Sequence, residues 1–138
     1  MNTAFVAVLL PALLVLGGLA MDGGQLFVER RQVQALADAA ARAGAAELDE
    51  VAARTQPAAP AMLEPDRAAK AAADFVAEVQ PAAAIVVTEV DPRHIRVQVT
   101  SPPVKLTLLQ LVPGLQTTIR VQASGQAEPQ TGITQPGQ

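Results

Sequence analysis

The sequence predicts an α+β fold with a long N-terminal helix in two parts, a second short helix and a small antiparallel β-sheet. Three observations carry this expectation. An uncharged apolar run opens the chain and passes into a segment whose apolar residues recur every three or four positions. A short alanine-rich stretch lies between two prolines. The C-terminal half then holds β-branched segments that alternate with period two and are separated by Pro-containing turns.

The apolar run from Ala4 to Met21 (AFVAVLLPALLVLGGLAM) carries no charge before Asp22. At about 1.5 Å per residue its roughly 18 positions span about 27 Å, close to the roughly 30 Å hydrocarbon thickness of a bilayer. A cleaved signal peptide would want a basic start and a small-x-small cleavage site, and no Lys or Arg precedes this run. A buried core helix fits poorly, since a chain of 138 residues holds little else to surround a helix that is apolar on every side. Residues 1–21 are therefore assigned as a transmembrane anchor. Pro11 removes one helical hydrogen bond and Gly17-Gly18 add flexibility, which predicts a kink or a local unwinding.

From Gln25 to Arg54 the helical reading continues, with Leu26, Val33, Leu36, Ala37, Ala40, Gly44, Leu48 and Val51 on one stripe. Arg31, Asp38, Arg42 and Asp49 take the opposite face, Asp38 and Arg42 as an i,i+4 pair. The stripe is small-sided at Ala37, Ala40 and Gly44, which suits close approach to the protein's own sheet, with a contact to another subunit as the alternative. Pro57, Pro60 and Pro65 make a stiff connector. A short helix is predicted over Asp66–Val79, with Ala69, Ala72, Phe75, Val76 and Val79 as its buried face. Strands follow at Ala84–Val90 and at His94–Thr100, the latter with Ile95, Val97 and Val99 on one side and His94, Arg96 and Gln98 on the other. Val104–Val112 is ambiguous between helix and strand, and Thr117–Ala123 alternates as a third strand. The folded domain is bounded at 22–124, with 125–138, rich in Gln, Gly and Pro, as a disordered tail.

Composition excludes several function classes. The net charge of −3 and the lack of any basic cluster beyond Arg30-Arg31 leave no electrostatic footprint for nucleic acid. There is no cysteine, hence no disulfide or thiolate metal site. The single histidine, His94, falls on a polar strand face as a solvated side chain, and Ser101 and Ser124 sit beside loop formers. Glu47, Asp49 and Glu50 have the look of helix surface, and Gly23-Gly24 follows no strand and precedes no suitably spaced lysine. The expectation is a non-enzymatic protein with no catalytic, cofactor-binding or metal-binding residues, no cofactor, and no nucleic-acid or small-molecule partner. With no Trp, no Tyr and three Phe, its aliphatic core is small, so association with a neighbour is expected to support it.

The N-terminal third resembles the TadE/TadG-like proteins of the tight-adherence (Tad) pilus system. The residues carrying the resemblance are Pro11 in the apolar helix, the junction Asp22-Gly23-Gly24, the pair Arg30-Arg31, and Ala37-Asp38-Ala39-Ala40, with Val33, Leu36 and Gly44 on the accompanying packing stripe. The C-terminal half is similar to the family's later pattern of strand, Pro-containing link, short apolar segment and final strand. The resemblance implies a pilin-like architecture and a minor-pilin or pseudopilin-like role in a type IV-related pilus or secretion machine. It further implies a single-pass protein of the bacterial cytoplasmic membrane, its domain extracytoplasmic and its partners other pilin-like subunits or assembly-platform proteins. Lateral association of the anchor would use small residues such as Ala4, Ala7, Gly17 and Gly18. The rival expectations are a membrane-tethered binding or regulatory module that never enters a filament, and a small secreted domain released by cleavage. Counting charges, Arg30 and Arg31 favour a cytoplasmic domain. The resemblance implies the reverse and is preferred, because Asp22 and Glu29 share that flank and the arginines lie about two turns beyond the membrane edge.

Overall fold

The computed structural model describes residues 2–55, 61–106 and 118–129. Among the described residues three helices, α1 (Asn2–Ala45), α2 (Glu50–Thr55) and α3 (Pro65–Val79), precede five strands. These are β1 (Ala84–Asp91), β2 (His94–Thr100), β3 (Val104–Lys105), β4 (Thr118–Ile119) and β5 (Gln122–Ala127). The architecture is the α+β arrangement expected, with a 44-residue N-terminal helix laid on a small antiparallel sheet. That helix is unbroken at Pro11 and through Gly17-Gly18 and Gly23-Gly24, so the local unwinding expected there does not occur.

The main sheet has strand order β1-β2-β5, both pairings antiparallel, and β3 and β4 form a separate two-stranded ribbon. β2 is central and shows why its residues make a strand. Ile95, Val97 and Val99 are fully buried while Arg96 and Gln98 between them are exposed. β1 reaches the same inner face only by means of a bulge. Ile85 and Val87 point inward, the register then shifts between Val87 and Glu89, and Val90 is returned to the inner face opposite Ile95. Were Thr88 paired in regular alternation instead of accommodated in the bulge, Glu89 and Asp91 would turn toward the core.

Both α1 and α3 lie on the inner face, α1 over β5 and β2 and α3 against α1 and β1. The core is aliphatic: Val33, Leu36, Ala37, Ala40, Ala41 and Ala45 from α1, Ala68, Ala72 and Val76 from α3, and the inner residues of β2 with Ala123. Leu63 closes it from the segment before α3.

Several boundaries differ from the sequence expectation. The stripe extends to Val51, yet α1 ends at Ala45, because Glu47–Asp49 leave the helix to pair with Met62–Glu64 through Asp49 N–H to Met62 O and Glu64 N–H to Glu47 O. Val79 is exposed at the end of α3 and Ala68 takes the buried position, so that face is rotated from the expected one. The third strand is divided: Thr118–Ile119 pairs with Val104–Lys105, and β5 runs on to Ala127, past the expected end of the domain at residue 124. Small residues make that possible, since Ala123, Gly125 and Ala127 form the inward row and sit directly beneath α1. The remainder of the ambiguous 107–112 segment lies outside the described residues.

Between β2 and β5 the chain is held by Ser101, which is 3 % exposed. Its N–H donates to Val121 O at 2.7 Å, its hydroxyl accepts from Val121 N–H at 2.9 Å, and the hydroxyl donates to Pro102 O at 2.8 Å. Where the prolines end the ladder, Ser101 thus serves both backbone groups of Val121 and the Pro102 carbonyl.

Candidate functional site

α1 changes character along its length. From Phe5 to Met21 its large apolar side chains are bare: Val8 is 73 % exposed, Leu14 68 %, Val15 69 % and Met21 65 %. From Val33 onward one apolar face, Val33, Leu36, Ala37, Ala40, Ala41 and Ala45, is buried in the core. It is the one described helix long and apolar enough to cross a membrane. A row of uncovered Leu and Val more than three turns long needs lipid or other apolar helices around it.

The signature residues divide between these two halves. Pro11 lies on the bare part, where Gly23 and Gly24 are also open, and a side chain added at Gly17, Gly23 or Gly24 would meet nothing within 4 Å. Asp22 is 1 % exposed, and Gly18, one turn earlier, is buried on the same side. Arg30 and Arg31 face solvent. Val33, Leu36, Ala37, Ala40 and Gly44 are buried, with Asp38 and Ala39 half-buried at the edge of the contact.

The small side chains of the Ala-Asp-Ala-Ala segment set the distance between helix and sheet. A Cβ on Gly125 would run into the carbonyl of Ala37 and lie 2.7 Å from Asp38 N. One on Gly44 would lie 2.5 Å from Ile95 Cδ1 and 2.8 Å from Ala68 O. Gln34 ties the same contact from outside, its Nε2 donating to Ser124 O and to Asp38 Oδ1, each at 3.0 Å. Arg42 donates to the Asp38 backbone carbonyl at 3.1 Å, so the expected Asp38–Arg42 pair joins side chain to backbone. Beside it an open cleft of about 690 Å³ is lined by Arg42, Ala45, Ala46, Gln126, Ala127 and Glu128.

At the far end of β1 and β2 the outer face is polar and ordered. Arg96 donates to Glu89 Oε2 at 3.1 Å on one side and to Gln126 Oε1 at 3.0 Å on the other, a ladder across all three strands. His94 Nε2 lies 3.4 Å from Asp91 Oδ2 and 3.6 Å from Glu89 Oε1. Sequence alternation puts His94 with Arg96 and Gln98 and gives it no carboxylate neighbours. The bulge at Thr88 supplies them, and a β-branched run broken by Thr-Glu before Val90 is the only signal of it in the sequence. Arg67 bridges Glu47 at 2.9 Å and Glu64 at 3.4 Å, and its guanidinium is held further into the charged form, by Glu47 first and then Glu64.

Residues 2–47 match the Tad family model, described as Flp pilus-assembly TadE/G-like. No curated protein and no solved structure matches the chain. The matched segment contains the bare apolar half of α1, the Asp22-Gly23-Gly24 junction and the small-sided docking stripe, and ends two residues past the helix. Over α1, the element on which the rest of the domain is built, the chain is thus similar to the Flp pilus-assembly TadE/G-like family, and the similarity covers the helix that is long and apolar enough to cross a membrane.

Proposed function

We propose that this protein is a non-enzymatic, membrane-anchored minor-pilin or pseudopilin-like component of a Tad-type pilus assembly or secretion system. The bare half of α1 sits in the cytoplasmic membrane, and the α+β domain projects on the extracytoplasmic side. The observation that carries the reading is one continuous helix, apolar and uncovered over its first half and docked on its own sheet over its second. A subunit built this way can exchange lipid for the helices of neighbouring subunits without unfolding its domain, because the two surfaces lie on separate stretches of α1. Open positions at Gly17, Gly23 and Gly24 leave room for a close-packed neighbour. Partners of the bare half are then other pilin-like helices or platform proteins.

Fractionation tests the assignment. The chain is expected in the membrane fraction and in sheared surface filaments; recovery in membranes alone would support the tethered-module alternative. A phosphatase reporter fused after Gln138 tests the side of the membrane, and cytoplasmic activity would refute the pilus role.

A further inference from the structure

We infer that Glu89, Asp91 and His94, at the tip of the β1–β2 hairpin, form a site for a divalent transition-metal ion of the zinc class. The three offer one ligand atom each, all within 4.8 Å of one another. Two carboxylates and one imidazole are a mixed oxygen–nitrogen donor set, which suits Zn²⁺ better than the all-oxygen preference of Mg²⁺ or Ca²⁺.

The spacing is that of ligands around a shared ion. His94 Nε2 stands 3.4 Å from Asp91 Oδ2 and 3.6 Å from Glu89 Oε1. Both separations exceed the usual 2.7–3.2 Å of a hydrogen bond to nitrogen. They come close to the roughly 3.3 Å edge of a tetrahedron whose metal–ligand bonds are about 2.0–2.1 Å. With Glu89 and Asp91 exposed, a fourth position would be left to water.

The surroundings hold the ligands in place. The bulge at Thr88 is what turns Glu89 to the outer face, and Val90 and Ile95 anchor the two strands from the inner one. Pro92 lies in the turn between the ligands, and its carbonyl accepts from Leu63 N–H at 2.8 Å, which ties the hairpin tip to the core segment before α3. Arg96 occupies Glu89 Oε2 and leaves Oε1 on the side of His94. A bonded second oxygen of this kind orients a carboxylate ligand. Bound metal would lock the tip of an otherwise two-residue turn without touching the α1 contact, so the inference is independent of the pilus assignment.

The test is calorimetric titration of the full chain, in detergent micelles after chelator treatment, with Zn²⁺. The expected result is one saturable site per chain, unaffected by an equal concentration of Mg²⁺, with a thermal transition that rises on Zn²⁺ addition. Asp91→Asn and His94→Ala are each expected to weaken binding at least about tenfold and to abolish the thermal rise. Circular dichroism of each variant verifies the fold, and either variant alone suffices. Absence of a saturable site, equal competition by Mg²⁺, or parent-like binding by a folded His94→Ala chain would overturn the inference.

Discussion

Gly125→Ala adds one methyl group to the inner row of β5, and its consequence can be worked out from the geometry. The new carbon meets the Ala37 carbonyl and stands 2.7 Å from Asp38 N, where ordinary carbon contacts are about 3.5–4.0 Å. The obstruction is helix backbone, which has no rotamer to change, so α1 and β5 must separate by about 1 Å. That movement is opposed on both sides. β5 is held in register with β2, Gly125 opposite Val97, while Ala37, Ala40 and Ala41 fix α1 in the core. Overpacking of this kind costs about 1–3 kcal/mol. Reduced freedom of the unfolded chain returns about 0.4–1 kcal/mol. A net loss of about 1–2 kcal/mol corresponds to a fall in Tm of roughly 5–15 °C for a domain of this size. Differential scanning calorimetry of the full chain in micelles, with the exposed Gln122→Ala on the same strand as control, measures it. A Gly125→Ala transition within a degree or two of the parent would refute the helix-on-glycine contact.

Four further outcomes follow from other contacts. Gly44→Leu is expected to lower Tm far more than Arg42→Leu, because an added carbon at Gly44 already meets Ile95 and the Ala68 carbonyl while Arg42 is exposed; equal melting of the two would contradict the face assignment. Ser101→Ala removes the hydroxyl that accepts from Val121 N–H and is expected to cost about 1–3 kcal/mol in chemical denaturation, with Ser101→Thr closer to the parent. Leu14→Arg sets a charge near the middle of the bare helix, costing about 2.5–3.5 kcal/mol on insertion scales, so membrane recovery by flotation should fall. The Lys70 ammonium is held above the ordinary 10.5 of lysine, first by its hydrogen bond to Asp74 and then by that carboxylate's charge. Its small contribution is therefore complete below that pH and lost as pH rises through the raised value, and Lys70→Met should flatten that part of a stability–pH curve.

How much of this was legible from residues alone depends on whether a local rule or a distant partner decided each element. β2 was fully legible, since HIRVQVT alternates without exception and each inner residue is buried. The bare apolar run of α1 was legible for the same reason, a local excess of one residue class. The end of α1 was not, because Leu48 and Val51 continue the helical spacing and only the pairing of residues 47–49 with 62–64 ends it. β5 was hidden for a subtler reason. QASGQA has the composition of a polar tail, and its inner row reads as a strand face only once a helix lies close enough to require Ala, Gly and Ala there. The hairpin cluster was hidden by the bulge, which moves Glu89 and Asp91 to the face that simple alternation denies them.

The small residues of α1 therefore answer to two different demands. At Gly17, Gly23 and Gly24 the space beside the backbone is open, so small size there serves nothing inside the described domain. At Ala37, Ala40 and Gly44 it is filled by β5, β2 and α3, and small size is what permits the fold. A family signature covering residues 2–47 spans both kinds of position, and the structure separates them. Larger side chains at the second group should act on domain stability, while those at the first should leave the domain intact and act on whatever surrounds the bare helix. Because α1 is continuous from one group to the other, its docked half also fixes how the sheet is carried relative to the bare half. On the proposed pilin-like reading, a neighbour that packs against the first half thereby orients the whole domain, so that a subunit with a small aliphatic core presents a defined surface without large interfaces of its own.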